Sequence, residues 1–212
     1  DHLINLRHII MNEEDKDLLM KTPSTILGSC RYKLPSLEED DLQYKTIVEN
    51  LQKHHIKVFF YIGGNDSMDT VMKLDAYLKR EQIDICVVGV PKTIDNDLME
   101  TDHTPGFGSA AKYVAISLQE IIRDSRVYSI PSVTIVEIMG RDAGWLAASS
   151  CVLRANGEPA PHLIYLPEST FTLEQYIQDV KNAMTRYKAV IIAVSEGVTF
   201  PDGGSEEQAK DA

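Results

Sequence analysis

The segment from Lys92 to Asp97 carries a lysine and two alternating carboxylates, and it is the most informative chemical feature of this sequence. In an extended loop, Asp95 and Asp97 point to different neighbours. One carboxylate could then take a proton from a hydroxyl group while the other supports a metal ion. The alternative is a solvated turn, because Asp and Asn are ordinary turn residues. A base, a divalent cation and a positively charged cradle are together what phosphoryl transfer requires.

Three further polar segments contain the remaining groups that such a transfer needs. The turn Gly63–Ser67 has two glycines, which let the backbone approach phosphate oxygens, and a following helix would direct free N–H groups the same way. Taken alone this turn is a weak signal, because many such turns are only tight connections. The turn Met139–Asp142 adds an arginine, and Ser195–Gly197 adds a carboxylate. The four segments together favour phosphoryl transfer.

Each of these segments follows a predicted strand. Apolar runs alternate with helical stretches, and this alternation predicts parallel strands joined by right-handed crossovers. The predicted strands are 58–62, 85–90, 132–139, 163–166 and 189–194, and the predicted helices are 13–20, 36–54, 67–80, 107–125, 143–152 and 172–187. The fold class is therefore α/β, with Rossmann-like parallel sheets flanked by helices. In such sheets, ligands bind beyond the carboxyl ends of the strands.

The composition argues against two classes of partner. The formal net charge is −11, with 32 acidic and 21 basic side chains, whereas a nucleic-acid binder needs a concentrated basic face. No apolar run reaches the roughly 18 residues of a membrane span. Three widely spaced cysteines, Cys30, Cys86 and Cys151, predict reduced, buried thiols in a cytoplasmic protein. Trp145 is expected to pack in the core rather than to stack on a base.

The combined motifs resemble the phosphofructokinase family. The stretches Gly63–Ser67, Pro91–Asp97 and Met139–Ala147 match this family in order and spacing, and the resemblance runs from about Thr25 to Gly197. Diacylglycerol and NAD kinases also have a glycine-rich turn at a strand end, but they lack the other two motifs at these spacings. The resemblance implies a cytoplasmic glycolytic transferase that phosphorylates the 1-hydroxyl of fructose 6-phosphate with Mg²⁺. It also implies assembly as a homo-oligomer.

The resemblance assigns roles residue by residue. Asp95 matches the general base, Asp97 matches the carboxylate that supports the metal, and Arg141 is placed to offset developing phosphate charge. The positions that match substrate binding are Thr93, Ile94, Asp95, Met139, Gly140, Arg141 and Glu196. The positions that match donor binding are Gly63, Gly64, Asp66, Ser67 and Arg31.

Asp66 and Lys92 occupy two positions at which ATP-using relatives have glycine. A carboxylate at Asp66 takes the space and charge position of a nucleotide α-phosphate, and Lys92 can meet the transferring phosphoryl group as a mobile point charge. Both residues resemble those of the pyrophosphate-dependent branch, so a reversible transfer from pyrophosphate is expected. An ATP-dependent enzyme and a non-catalytic regulatory or degenerate subunit are also compatible with the family.

The chain also departs from the family pattern. Asn65 stands where most relatives place a magnesium-binding aspartate, and an amide oxygen is a weaker ligand for a hard cation. Relatives extend further at both ends, so the chain is expected to be an internal piece containing parts of two domains. Residues 1–106 would be the donor-binding half and residues 107–212 the sugar-phosphate-binding half. Alone, this piece is expected to be inactive.

Overall fold

The structure is a computed structural model, and it describes residues 11–22, 25–29 and 31–201. Its helices are α1 Glu13–Lys21, α2 Leu42–Lys53, α3 Asn65–Arg80, α4 Phe107–Ser125, α5 Trp145–Ser149, α6 Val152–Ala155 and α7 Leu173–Met184. Its strands are β1 Val58–Gly63, β2 Cys86–Pro91, β3 Ser132–Ile138, β4 Leu163–Tyr165 and β5 Ala189–Ser195. All strand pairs are parallel, which confirms the α/β class. The chain divides after Pro91 into two compact units.

The first unit is built on the parallel pair β1–β2. The two strands run in register up to the pairing of Gly63 with Pro91. Buried residues of α2 and α3 cover one face of this pair, with the Tyr44 and Tyr77 rings stacked at 5.3 Å between centroids. The other face is open, and Phe60 keeps 61% of its surface exposed. This alternation of covered and open faces follows from the two-residue period of a strand.

The second unit is a three-stranded sheet in the order β3–β5–β4. Ile191 and Ala193 of the central strand β5 pack with residues of α4 and α5, while Val190 and Ile192 pack on the other face with residues of α7. A parallel strand buried on both faces is apolar throughout, and this explains the unbroken run Ala189–Val194.

Several helices differ from their predicted ranges, and α7 ends at Met184, three residues before its predicted end. The helix predicted from residue 36 begins at Leu42, because the acidic segment before it forms a turn in which Asp40 Oδ1 accepts the N–H of Leu42 at 2.9 Å. The helix predicted from residue 67 begins earlier, at Asn65. The helix predicted over 143–152 is instead the short pair α5 and α6.

The prediction of buried cysteines is wrong for the two that the structure describes. Cys86 and Cys151 are free thiols, as expected, but both are exposed. Cys86 opens β2, and Cys151 lies between α5 and α6. Cys30 lies outside the described residues. Among the helices that the structure describes, none combines the length and apolar character that crossing a bilayer requires.

Thr172 begins α7 with the capping box that the sequence predicts. Its Oγ1 accepts the N–H of Gln175 at 3.2 Å, and Gln175 Oε1 accepts the N–H of Thr172 at 2.9 Å. We expect Thr172→Ala to lower the free energy of unfolding by about 1 kcal/mol, because the N–H of Gln175 loses its acceptor. Urea-induced unfolding of the intact protein measures this change.

Thr185→Ala is the matched control at the other end of α7. The Thr185 hydroxyl donates to the carbonyl oxygen of Asn182 and satisfies no helix N–H group, so its loss is expected to cost only a few tenths of a kcal/mol at most. Equal losses in the two variants would contradict the capping role of Thr172.

Candidate active site

The loop that follows β2 and carries both predicted carboxylates is closed by its own polar groups. Thr93 and Gly106 form a parallel β-bridge at the base of this loop. The Thr104 hydroxyl donates to the Thr93 carbonyl at 2.6 Å, and the Thr104 N–H donates to Asn96 Oδ1 at 2.9 Å. The loop is therefore held in one conformation by buried hydrogen bonds.

Asn96 lies between Asp95 and Asp97 and anchors both. It is buried, its φ is +58°, and its Nδ2 donates to the Asp102 carbonyl at 3.1 Å. Because Asn96 and the two threonines of the loop base are buried, the interpretation of this segment as a solvated turn is wrong. The half-buried Asp95 carboxylate has no hydrogen-bond or ion-pair partner among residues 11–22, 25–29 and 31–201. Its oxygens are therefore open to contact with a ligand.

Asp97 lines a cleft of about 580 Å³ within the second unit. His103 and Trp145 line the same cleft. The expectation that Trp145 packs in the core is wrong, since 54% of its surface is exposed. The cleft therefore presents a carboxylate, an imidazole and an indole to solvent, a mixture of polar and flat apolar surface that suits a small polar ligand.

The ends of β3 and β5 bring Arg141 and Glu196 together. Ile138 pairs with Ser195 in the parallel ladder, so the two chain segments leave the sheet side by side. Glu196 Oε1 accepts the N–H of Gly140 at 2.9 Å and the N–H of Arg141 at 2.7 Å. One carboxylate oxygen thus fixes the turn that holds the predicted substrate-binding arginine.

Arg141 adopts a left-handed conformation, with φ at +55°, that is uncommon for a residue with a β-carbon. The backbone around Arg141 is closely packed, with Gly197 against the Arg141 carbonyl and Gly140 against that of Ala143. A β-carbon on Gly197 would lie 2.0 Å from the Arg141 carbonyl oxygen, and one on Gly140 would lie 2.3 Å from that of Ala143. Glycine is therefore required at both positions for the turn to keep its shape. The Met139 side chain is exposed on this turn.

Two backbone N–H groups, of Gly140 and Arg141, hold the pKa of Glu196 below its usual range. Both bonds favour the charged carboxylate, because an ionised oxygen accepts from N–H groups more strongly than a protonated one. The predicted contact of this carboxylate with sugar hydroxyls stays a prediction. Both bonds use Oε1.

The predicted donor turn is the first turn of α3. Gly64 precedes the helix without a side-chain cap, so Asn65, Asp66 and Ser67 lie within the helix and not in a loop before it. The Ser67 hydroxyl packs directly on Gly63, where a β-carbon would lie 2.0 Å from its oxygen. The N–H groups of a first helical turn have no intrahelical acceptor, and this favours an anion beside them.

Asp66 forms an ion pair with Lys33, whose Nζ lies 3.3 Å from Oδ1. Both side chains are largely exposed, so the pair contributes little to stability. Lys33 lies in an irregular segment that no sequence motif covers. The first unit therefore has a lysine, beside the predicted donor-selecting carboxylate, that sequence reasoning missed.

The metal prediction concerns Asn65 in the first unit and Asp97 in the second. Both carry the oxygen ligands that Mg²⁺ prefers, although only Asp97 is charged. In the described part of the chain, no group of three or more His, Cys, Asp or Glu side chains is placed to hold a metal ion. Mg²⁺ usually keeps several waters and is held by one or two carboxylates together with substrate phosphates, so a single carboxylate such as Asp97 fits it.

The structure contains the features that the resemblance predicts, in the predicted order. They are parallel strands, a glycine turn at a helix start, a loop with two aspartates and a turn with an arginine. The family model described as Phosphofructokinase matches residues 2–211. The chain belongs to the phosphofructokinase family.

Individual relatives carry more specific names. A pyrophosphate–fructose 6-phosphate 1-phosphotransferase of Xanthomonas campestris pv. campestris (strain B100) is 43% identical over 187 residues, which cover 87% of this chain and 45% of the relative. A sulfofructose kinase of Alkalicoccus urumqiensis is 37% identical over 180 residues, covering 84% of this chain and 45% of that protein.

A solved structure agrees with these sequence matches. The crystal structure of a pyrophosphate-dependent phosphofructokinase from Marinobacter aquaeolei superimposes with a TM-score of 0.78 at 36% identity, covering 95% of this chain and 51% of that one. The chain spans about half the length of the curated relatives it matches.

We expect Glu196→Gln to reduce the pH dependence of stability. A carboxylate whose folded pKa lies below its ordinary value of 4.5 stabilises the fold above that pH, and this contribution is lost as the pH falls through the folded pKa. Wild-type urea midpoints should therefore decrease between pH 6 and pH 3 more steeply than those of the variant. Glu137→Gln, on an exposed carboxylate of β3, is the control and should retain the wild-type slope.

Proposed function

We propose that the protein containing this chain transfers a phosphoryl group from pyrophosphate to the 1-hydroxyl of fructose 6-phosphate. The product is fructose 1,6-bisphosphate, and the transfer is reversible and serves glycolysis. The observation that carries the choice of donor is the carboxylate of Asp66 in the first turn of α3. Relatives about 40% identical that are named for pyrophosphate support the same donor.

The charge of Asp66 supports pyrophosphate over a nucleotide. The Asp66 carboxylate lies in the first turn of α3, where the free N–H groups of the helix attract negative charge. It therefore competes with any further anion at this helix start. A nucleotide places a further charged phosphate in this region, and two like charges a few ångström apart repel. Pyrophosphate ends before that position. The ion pair with Lys33 offsets part of the charge while leaving the side chain in the turn.

The acceptor side of the reaction depends on Asp95 and Arg141. Asp95 takes the proton of the sugar 1-hydroxyl as that oxygen attacks a phosphorus of pyrophosphate, and the bond from this phosphorus to the bridging oxygen breaks, so that orthophosphate leaves. The Arg141 guanidinium offers several N–H donors to the bound sugar phosphate and, in the transition state, to the charge that develops on the transferring group. Lys92 contributes a mobile positive charge on the donor side. Asp97 would hold Mg²⁺ in the second unit, the amide of Asn65 is the candidate ligand in the first, and the ion would neutralise phosphate charge.

The turn at Arg141 prepares the acceptor site before substrate arrives. Because Glu196 Oε1 already accepts two backbone N–H groups, the turn does not need to rearrange on binding. The second oxygen, Oε2, is the atom left for a sugar hydroxyl. We propose a homo-oligomeric, cytoplasmic enzyme whose donor-binding and sugar-binding halves meet near residue 106, and we expect the present chain alone to be inactive.

Sulfofructose is a second candidate acceptor. A relative 37% identical to this chain is named sulfofructose kinase, and its sugar carries a different anionic group from that of fructose 6-phosphate. An ATP-dependent enzyme and a non-catalytic subunit are two further candidates. Retention of Asp95, Asp97, Arg141 and Glu196 argues against the non-catalytic subunit.

Donor choice is tested by assaying the intact protein with Mg²⁺ and fructose 6-phosphate, using pyrophosphate or ATP. We expect turnover with pyrophosphate and not with ATP. In the double variant Asp66→Gly and Lys92→Gly, kcat/KM for pyrophosphate should decrease at least about tenfold. A hydrogen bond to a charged group contributes about 1.5–3 kcal/mol of binding free energy, and a loss of about 1.4 kcal/mol corresponds to a tenfold weaker constant. ATP should become a measurable donor.

Lys57→Ala is the matched control, because Lys57 forms an exposed ion pair with Asp84 away from this turn. Wild-type turnover with ATP alone would contradict the donor assignment and leave the family unchanged. Sulfofructose is assayed beside fructose 6-phosphate, and a preference for it would replace the proposed acceptor.

Asp95→Asn should lower kcat about 10²- to 10⁴-fold, the usual contribution of a general base, with a much smaller change in KM for fructose 6-phosphate. Steady-state kinetics of the intact protein measure both constants. Glu100→Gln changes an exposed carboxylate of the same loop that does not line the cleft, and this variant should remain within about threefold of wild type. Equal losses in both variants would contradict the role of Asp95.

A further inference from the structure

Glu168 lies in the loop that follows β4, and sequence reasoning assigned it no role. Its Oε1 accepts the N–H of Gly144 at 2.8 Å. A β-carbon on Gly144 would lie 2.6 Å from Glu168 Oε2 and 3.0 Å from two side-chain carbons of Leu166. The loop after β4 and the residue that precedes α5 are therefore in direct contact, and glycine at 144 permits this contact.

Gly144 belongs to the same short turn as Arg141. The turn is closed inside by the Ala143 N–H, which donates to the Gly140 carbonyl at 3.0 Å. At one end Glu196 accepts the N–H groups of Gly140 and Arg141, and at the other end a second carboxylate accepts the N–H of Gly144. Two carboxylates, one from each neighbouring loop, thus fix the turn at both ends.

The conformation of Arg141 explains why both attachments are needed. A non-glycine residue at a φ of +55° costs free energy, and such a conformation persists only where the surroundings determine it. Glu196 fixes the amide on the N-terminal side of Arg141, and Gly197 packs on the Arg141 carbonyl oxygen. The bond from Gly144 to Glu168 fixes the other end of the same turn.

We propose that Glu168 is a positioning residue for Arg141, acting through the backbone of the turn from Gly140 to Gly144. This inference rests on the proposed function, in which Arg141 contacts the sugar phosphate substrate. Glu168 itself has no contact with the reacting atoms in this role. Its carboxylate determines how precisely the guanidinium is placed, and a misplacement of about 1 Å can cost up to about 10²-fold in rate.

The test compares Glu168→Ala with Glu168→Gln in the intact protein. The alanine variant should raise KM for fructose 6-phosphate about tenfold while KM for pyrophosphate stays within about threefold, because a bond to a charged acceptor is lost on the sugar side only. Hydrogen exchange of a peptide covering residues 139–146 should accelerate at least about tenfold. The glutamine variant keeps an oxygen acceptor and should recover most of both properties. Glu174→Ala, on an exposed carboxylate of the first turn of α7, is the control and should match wild type.

Three results would overturn the proposal. The first is unchanged KM and unchanged exchange in the alanine variant. The second is a parallel loss for both substrates with a lowered melting temperature, which indicates a general structural role. The third is a glutamine variant as impaired as the alanine variant. If the wild-type protein does not use pyrophosphate and fructose 6-phosphate, the proposed function fails, and the exchange measurement alone then decides the role of Glu168.

Discussion

The parallel pairing of β3 with β5 is the contact on which the arrangement of the second unit depends. It places Ile138 opposite Ser195, so the residues that follow each strand emerge next to each other. The Glu196 carboxylate can therefore reach the Gly140 and Arg141 amides, although 55 residues separate Glu196 from Arg141 in sequence. The same strand β5 pairs with β4 on its other side, which brings the loop with Glu168 to the same turn. One buried apolar strand thus organises two carboxylates around one arginine.

The loop with Asp95 and Asp97 uses a different kind of constraint. It has no strand to support it, and its shape comes from a buried asparagine and two buried threonines that satisfy one another. Buried polar groups of this kind are costly when unpaired, so a fully bonded loop has few competing conformations. The backbone on either side of Asn96, which carries the two aspartates, is therefore fixed by these bonds.

Periodicity and apolar runs predicted the class, the order of the elements and the parallel pairing, because these depend on which residues can be buried. The predicted helix boundaries were wrong where local hydrogen bonds determine the residue at which a helix begins. The acidic segment before Leu42 forms a turn of its own, and Asn65 enters α3 directly after two glycines. Lys33, Thr104 and Glu168 could not be selected from sequence, because each acts on a partner brought near by the fold. The family resemblance located the motifs but not the bonds that support them.

The backbone at Arg141 bears on any attempt to make this protein more heat-resistant. Glycine at a position with φ of +55° relieves about 1–2 kcal/mol of steric cost, and asparagine tolerates it better than arginine does. A search that rewards stability alone would therefore replace this arginine early, and the selected proteins would keep the fold while losing the guanidinium. Under the proposed role of Arg141, position 141 is one at which stability and turnover are in direct competition. An engineering library for this family should hold it fixed.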